Sequence, residues 1–151
     1  MNKKLLVAAL IAVLLAGCAH RHPRGEGDVV NQTKPQIAVQ GDQIVVPYAL
    51  IFLGRREVTV TWQLPPNAKY RFADNGIVIE GRLKDEVLRG DKVSVVLDPR
   101  QNEIVNCRRG KDGLEFSCLN RHTQSGIYKY TIRLIDESQK QLVLDPSVVN
   151  D

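Results

Sequence analysis

From Pro35 onward the chain alternates apolar and polar residues with a period of two, and turn residues interrupt the pattern roughly every 8–12 residues. The clearest stretch is Val58-Thr59-Val60-Thr61-Trp62-Gln63-Leu64, whose valines, Trp62 and Leu64 face one way and Thr59, Thr61 and Gln63 the other. That period suits a half-buried strand and excludes an amphipathic helix. Ile37 and Val39 alternate before Gly41-Asp42, and Ile44 and Val46 before Pro47. Further runs are Lys69 to Phe72, Ile77 to Ile79, Val93 to Leu97, Glu103 to Cys107, Leu114 to Leu119, Ile127 to Ile135 and Gln141 to Leu144. Asn75-Gly76 and Asp112-Gly113 have the chemistry of type I′ hairpin turns. Leu83 to Arg89 fits a short helical turn, a strand or a loop.

About eight or nine short strands over residues 35–151, with no helical pattern long enough to join parallel strands, predict an all-β, antiparallel β-sandwich. Trp62 on an early strand, with Tyr128 and Tyr130 on a late one, resembles an immunoglobulin-like layer arrangement in outline. With 43% hydrophobic and 25% charged residues in 151, the chain has apolar material for one such domain. Trp62 reads as core, as do Tyr70 and Phe72. The latter two also suit an exposed aromatic spot beside Pro65-Pro66.

The first residues have a different logic. Asn2-Lys3-Lys4 precede an unbroken apolar run of 11 residues, Leu5 to Leu15, which is short of the roughly 20 needed to span a bilayer. Leu15-Ala16-Gly17-Cys18 follows, and resembles the lipobox of bacterial lipoproteins. The resemblance implies a signal peptide over residues 1–17, acylation of Cys18, and anchoring by several acyl chains. Ala19, rather than Asp, next to the cysteine implies the outer membrane, with the folded part in the periplasm. Residues 18–34, with no apolar periodicity, read as the lipidated N-terminus and a flexible tether. Tyr128-Lys-Tyr-Thr-Ile-Arg-Leu, followed by Leu144-Asp-Pro and Asn150, resembles the ending of several small proteobacterial envelope proteins.

An oxidising compartment then makes Cys107 and Cys118 a disulfide pair. Counting outward from a two-residue loop at Asp112-Gly113 sets the two cysteines opposite each other, with Cα atoms about 5.5 Å apart if the site is hydrogen-bonded. A bulge near Arg108-Arg109-Gly110 would shift the pairing by one residue.

Losing Lys3 and Lys4 with the signal peptide lowers the net charge from +4 to +2, which gives no chain-wide footprint for nucleic acid. Catalytic motifs are missing: there is no Gly-x-Ser-x-Gly, no His-Glu-x-x-His and no phosphate loop. His122 sits in the polar stretch Asn120 to Gly126 and reads as a solvated loop histidine. Asp74, Glu80, Asp85, Glu86, Asp91, Asp98 and Glu103 lack the spacing of a catalytic pair, and His20-x-His22 lacks a third metal ligand. No catalytic residue, metal or cofactor is therefore expected.

The residues that stand out are basic: Arg55 and Arg56, Arg108 and Arg109 with Lys111, and Arg82 with Lys84. Gathered on one end of a sandwich, they would make a cationic edge for an envelope protein or an acidic envelope polymer; spread out, they would protect strand edges. The function expected is a non-catalytic, lipid-anchored binding or structural module, accessory to an envelope assembly. The alternative is an inhibitor of a periplasmic or host hydrolase, which would plug an active site with the disulfide-stapled loop Arg108 to Gly113.

Overall fold

The computed structural model describes residues 29–46, 49–89 and 92–151. The period-two segments form strands: β1 (Val29–Val30), β2 (Ala38–Gln40), β3 (Gln43–Val45), β4 (Leu50–Phe52), β5 (Val58–Gln63) and β6 (Arg71–Arg89). They continue with β7 (Lys92–Asp98), β8 (Ile104–Arg109), β9 (Glu115–Asn120), β10 (Gly126–Ile135), β11 (Gln141–Leu144) and β12 (Ser147–Asn150). The large sheet runs β1-β4-β12-β10-β6-β7, with β11 beside the far end of β10. A small sheet, β5-β9-β8, and the β2-β3 hairpin complete the all-β sandwich. Most pairs are antiparallel, but β4 is parallel to both neighbours, β1 and β12.

The apolar sides of the two sheets meet in one core. The large sheet contributes Leu50, Phe52, Phe72, Tyr128, Tyr130 and Ile132, and the small sheet Val60, Trp62, Phe116 and Cys118. Trp62 lies against Tyr130, ring centroids 5.3 Å apart, and donates its indole N–H to the Tyr130 hydroxyl at 3.3 Å. That bond explains how two aromatic residues with polar atoms can be buried completely. Tyr70 and Phe72 are core residues as well.

Two sequence readings need correction. Asp74-Asn75-Gly76 does not turn the chain. Phe72 pairs with Leu134 and Ile77 with Ile132, both on β10, so four residues of β6 stand against one. The turn chemistry makes a wide bulge, which lets Phe72 and Ile77 both reach the core from one continuous strand. Gly76 is needed there, because a Cβ would lie 2.8 Å from that of Phe72 and 2.9 Å from the Ala73 carbonyl. Leu83 to Arg89, which the sequence leaves open between a helical turn, a strand and a loop, is strand, paired with β7 from Leu97 back to Lys92.

The other concerns the tether expected over residues 18–34, of which residues 29–34 are bonded to the sandwich. Val29 and Val30 pair with Leu50 and Ile51, and Leu53 N–H donates to Asn31 Oδ1 at 2.8 Å. Thr61 and Gln63, on the outer edge of β5, donate to the carbonyls of Thr33 and Pro35 at 2.8 and 2.9 Å. Apart from Asn31 Oδ1, backbone carbonyls do this bonding, so the polar side chains of 32–34 concealed the role.

Candidate functional site

Cys18 lies outside the described residues. The other two cysteines form the expected bridge, Cys107 to Cys118, with an S–S distance of 2.07 Å. Arg108 faces Ser117 and Arg109 faces Phe116, the register counted from the loop. The irregularity falls between Val105 and Arg108, where Asn106 adopts φ 54°, and not in the Arg108-Arg109-Gly110 segment. The cysteine Cα atoms are 4.1 Å apart, so the bridge sits at a close cross-strand site rather than the wider one expected.

The loop is not a type I′ turn either. Of Lys111, Asp112 and Gly113, only Gly113 has positive φ, at 70°. Gly113 N–H closes the turn on the Gly110 carbonyl, and Asp112 Oδ1 accepts from Leu114 N–H at 2.9 Å. The tip is also bonded to the body: Phe72 N–H donates to Gly113 O and Leu64 N–H to Leu114 O, each at 2.8 Å. Arg109 is drawn in with it. Its Nε donates to the Phe72 carbonyl at 2.6 Å, and its guanidinium packs where a Cβ on Gly113 would be. The loop is therefore a structural clasp between the two sheets, not a projecting plug.

The basic residues do not gather. Arg55 and Arg56 are exposed beyond the Val58 end of β5, which pairs with Asn120; Lys111 is exposed beyond the Gln63 end, which pairs with Glu115. Six residues of strand separate these ends by roughly 20 Å. Arg108 is exposed on the outer face of the small sheet, where it lines a shallow 350 Å³ depression with Thr59, Asn106, Ser117 and Leu119 beside the disulfide. Lys84 is paired with Asp98 at 3.3 Å, and Arg82 covers Gly126, whose φ of 154° and missing Cβ leave room for it.

What the sequence did not reveal is a buried polar cluster at one end of the sandwich. Asn120 and Asn150 exchange two amide hydrogen bonds, 2.8 and 3.0 Å long, joining the small sheet to the large. Asn120 Oδ1 also accepts from His122 N–H at 3.2 Å. His122 is only 2% exposed, with Nε2 2.9 Å from the backbone oxygen of Asp151. The expectation of a solvated histidine fails because the loop folds inward, with His122 at φ 49°.

Glu103 lies in the same region and is equally buried. Its carboxylate accepts from Thr123 N–H, Thr123 Oγ1 and Gln124 N–H at 2.6, 2.6 and 3.2 Å. Burial pushes its pKa up, but those hydrogen bonds and the Arg121 charge outweigh burial and hold it below the usual value. Burial and the Glu103 charge together raise the Tyr128 hydroxyl, which donates to the Gln124 carbonyl at 3.2 Å. A 260 Å³ cleft opens beside these groups, lined also by Arg82, Asp98 and Arg100. Its two carboxylates are occupied internally, Glu103 as above and Asp98 by Lys84, Arg100 Nε and Arg100 N–H.

Among the described residues no group of three His, Cys, Asp or Glu is placed to hold a metal ion. No family model and no curated protein matches this chain.

Proposed function

We propose that this chain is a lipid-anchored, non-catalytic binding or structural module of the bacterial cell envelope. It is held at the outer membrane through acylated Cys18, with the sandwich in the periplasm, as an accessory to an envelope assembly. The observation that carries the reading is the Cys107–Cys118 bridge. A cross-strand disulfide persists in an oxidising compartment, and the one remaining cysteine stands behind Leu15-Ala16-Gly17, where a lipobox places it. The lipid confines the domain to the membrane and raises its effective concentration for a partner confined there too.

The partner is an envelope protein. An acidic polymer would need a contiguous cationic edge, and Arg55 and Arg56 lie at the opposite end of β5 from Lys111. Inhibition by the 108–113 loop loses its support, since backbone hydrogen bonds hold the tip to the body.

The test is metabolic labelling with radioactive palmitate. The native chain takes up label and Cys18→Ala does not, and stoichiometric envelope proteins co-purify with the lipidated form from detergent-solubilised membranes. An unlabelled native chain, with Cys107 and Cys118 free in cells, would overturn the reading.

A further inference from the structure

We infer that β7 is a docking edge for a second copy of this chain, with Lys92–Asp98 of the two copies pairing antiparallel about Val95. Strand β7 is the last strand of the large sheet, with β6 on one side and no strand on the other among the described residues. Val95 is 48% exposed and Val96 is 42% exposed. Consecutive strand residues point to opposite faces, so Val95 and Val96 expose apolar surface on both faces of β7. The ladder between β10 and β6 stops at Arg82, and from Leu83 on the two strands extend beyond it as an arm.

Exposed edges are ordinarily blunted by a charge, a proline, a bulge or a covering segment. The other edges follow that rule. β8 carries Arg108 and Arg109 and is bulged at Asn106, while β5 is covered by the carbonyls of Thr33 and Pro35. The β2 and β3 strands have three residues each, β1 has two, and β11, paired with β10 alone, has four. Only β7, among the described residues, offers a long edge with an unprotected interior, Val93-Ser94-Val95-Val96-Leu97.

The segment matches its own reverse. Antiparallel pairing centred on Val95 sets Val95 against Val95, Val93 against Leu97, Ser94 against Val96 and Lys92 against Asp98. The two Val95 residues then lie on one face with register positions 93 and 97 on either side of them, and positions 92 and 98, a lysine and an aspartate in the sequence, fall opposite each other at both ends. Slipping the register one way sets Lys92 against Leu97; slipping it the other way sets Val93 against Asp98 and Lys92 against Pro99. Asp98 already accepts from Lys84 and Arg100, so the end pairs fix the register while the facing Val95 residues supply the attraction. A foreign strand would share the backbone bonds but not this mirrored fit.

The test uses the full chain, with sedimentation equilibrium and oxidative cross-linking. The native chain is expected to sediment as a reversible dimer, and Val95→Lys, which opposes two lysines on the symmetry axis, to weaken the dissociation constant at least about tenfold. Val95→Cys cross-links to itself above the native background. Ser94→Cys and Val96→Cys link when mixed but poorly alone, because each faces the other across the pairing. Buried Trp62 fluorescence and the intact Cys107–Cys118 bridge show that each variant is folded. A native chain that stays monomeric at about 100 µM overturns the inference. So does Val95→Cys linking in membranes only to other proteins, which would give the edge to a foreign strand.

Discussion

Removing the Asn120 side chain should cost more than its size suggests, because three buried groups depend on it. Asn120→Ala leaves the Asn150 amide without a partner for its oxygen or its nitrogen, and leaves His122 N–H without an acceptor. A buried polar group stripped of its partner costs about 1–3 kcal/mol, so with some relief from entering water the substitution should destabilise by about 3–5 kcal/mol. Asn150→Ala breaks two of the three bonds and should cost about 2–3 kcal/mol, since Asn120 Oδ1 keeps His122 N–H. In the double variant only His122 N–H is orphaned. Its cost should therefore fall short of the sum of the singles by at least about 2 kcal/mol, the coupling characteristic of a shared network. Urea unfolding is the assay, followed by the fluorescence of Trp62, the sole tryptophan and wholly buried. With a slope of about 1–2 kcal/mol per molar urea, Asn120→Ala should lower the midpoint by about 1.5–5 M. A loss under about 1 kcal/mol, or costs additive to within about 0.5 kcal/mol, would refute the view that this pair clamps the two sheets.

Reducing the Cys107–Cys118 bridge, whose cysteines are 11 residues apart, should lower stability by about 3 kcal/mol; Cys107→Ser/Cys118→Ser without reductant should reproduce the shift in the same urea transition. Glu103 should give an acid-sensitive component. Its folded pKa is held below the unfolded value, so its contribution is complete above about pH 5 and is lost as pH falls through the folded pKa. Glu103→Gln should flatten the acid limb of a stability-against-pH curve, and an unchanged slope would show that Glu103 is not responsible for it.

The strands that could be read from sequence are those whose alternation is decided by one buried face. In β5, Val60 and Trp62 are inward; in β10, Tyr128, Tyr130, Ile132 and Leu134 share the core face. The Cys107–Cys118 pairing was legible for the same reason, since a register counted from the loop survives a change of turn type. β4 was missed because Leu50-Ile51-Phe52 is a short apolar run without alternation, enclosed between two parallel neighbours. Asp74-Asn75-Gly76 misled because residues that form a tight turn also form a bulge, and only the partner strand decides between them. The polar cluster was illegible in principle: Glu103, Asn120, His122 and Asn150 sit at strand ends, where polar residues are normally solvated, and only the packing of two sheets buries them. Arg55, Arg56, Arg108 and Lys111 are exposed, but whether they gather depends on strand direction, which their local spacing does not encode.

The proposed lipid anchor and the proposed β7 edge together restrict how a dimer would sit on a membrane. Strands β1 and β7 lie at opposite edges of the large sheet, five strand spacings or about 24 Å apart, so a tether leaving β1 does not obstruct β7. Antiparallel pairing of identical edges has its two-fold axis perpendicular to the sheet. That axis carries one copy's β1 to the diagonally opposite corner of the joined sheet, while keeping both corners at equal height along the axis. Two acylated cysteines can then enter the same leaflet with equal tethers when the axis is normal to the bilayer, which lays the joined sheet parallel to the membrane. The eleven residue steps from Cys18 to Val29 reach at most about 38 Å when fully extended, enough for this orientation and short of the roughly 53 Å, eleven strand spacings, that separates the two β1 strands in a joined sheet standing upright.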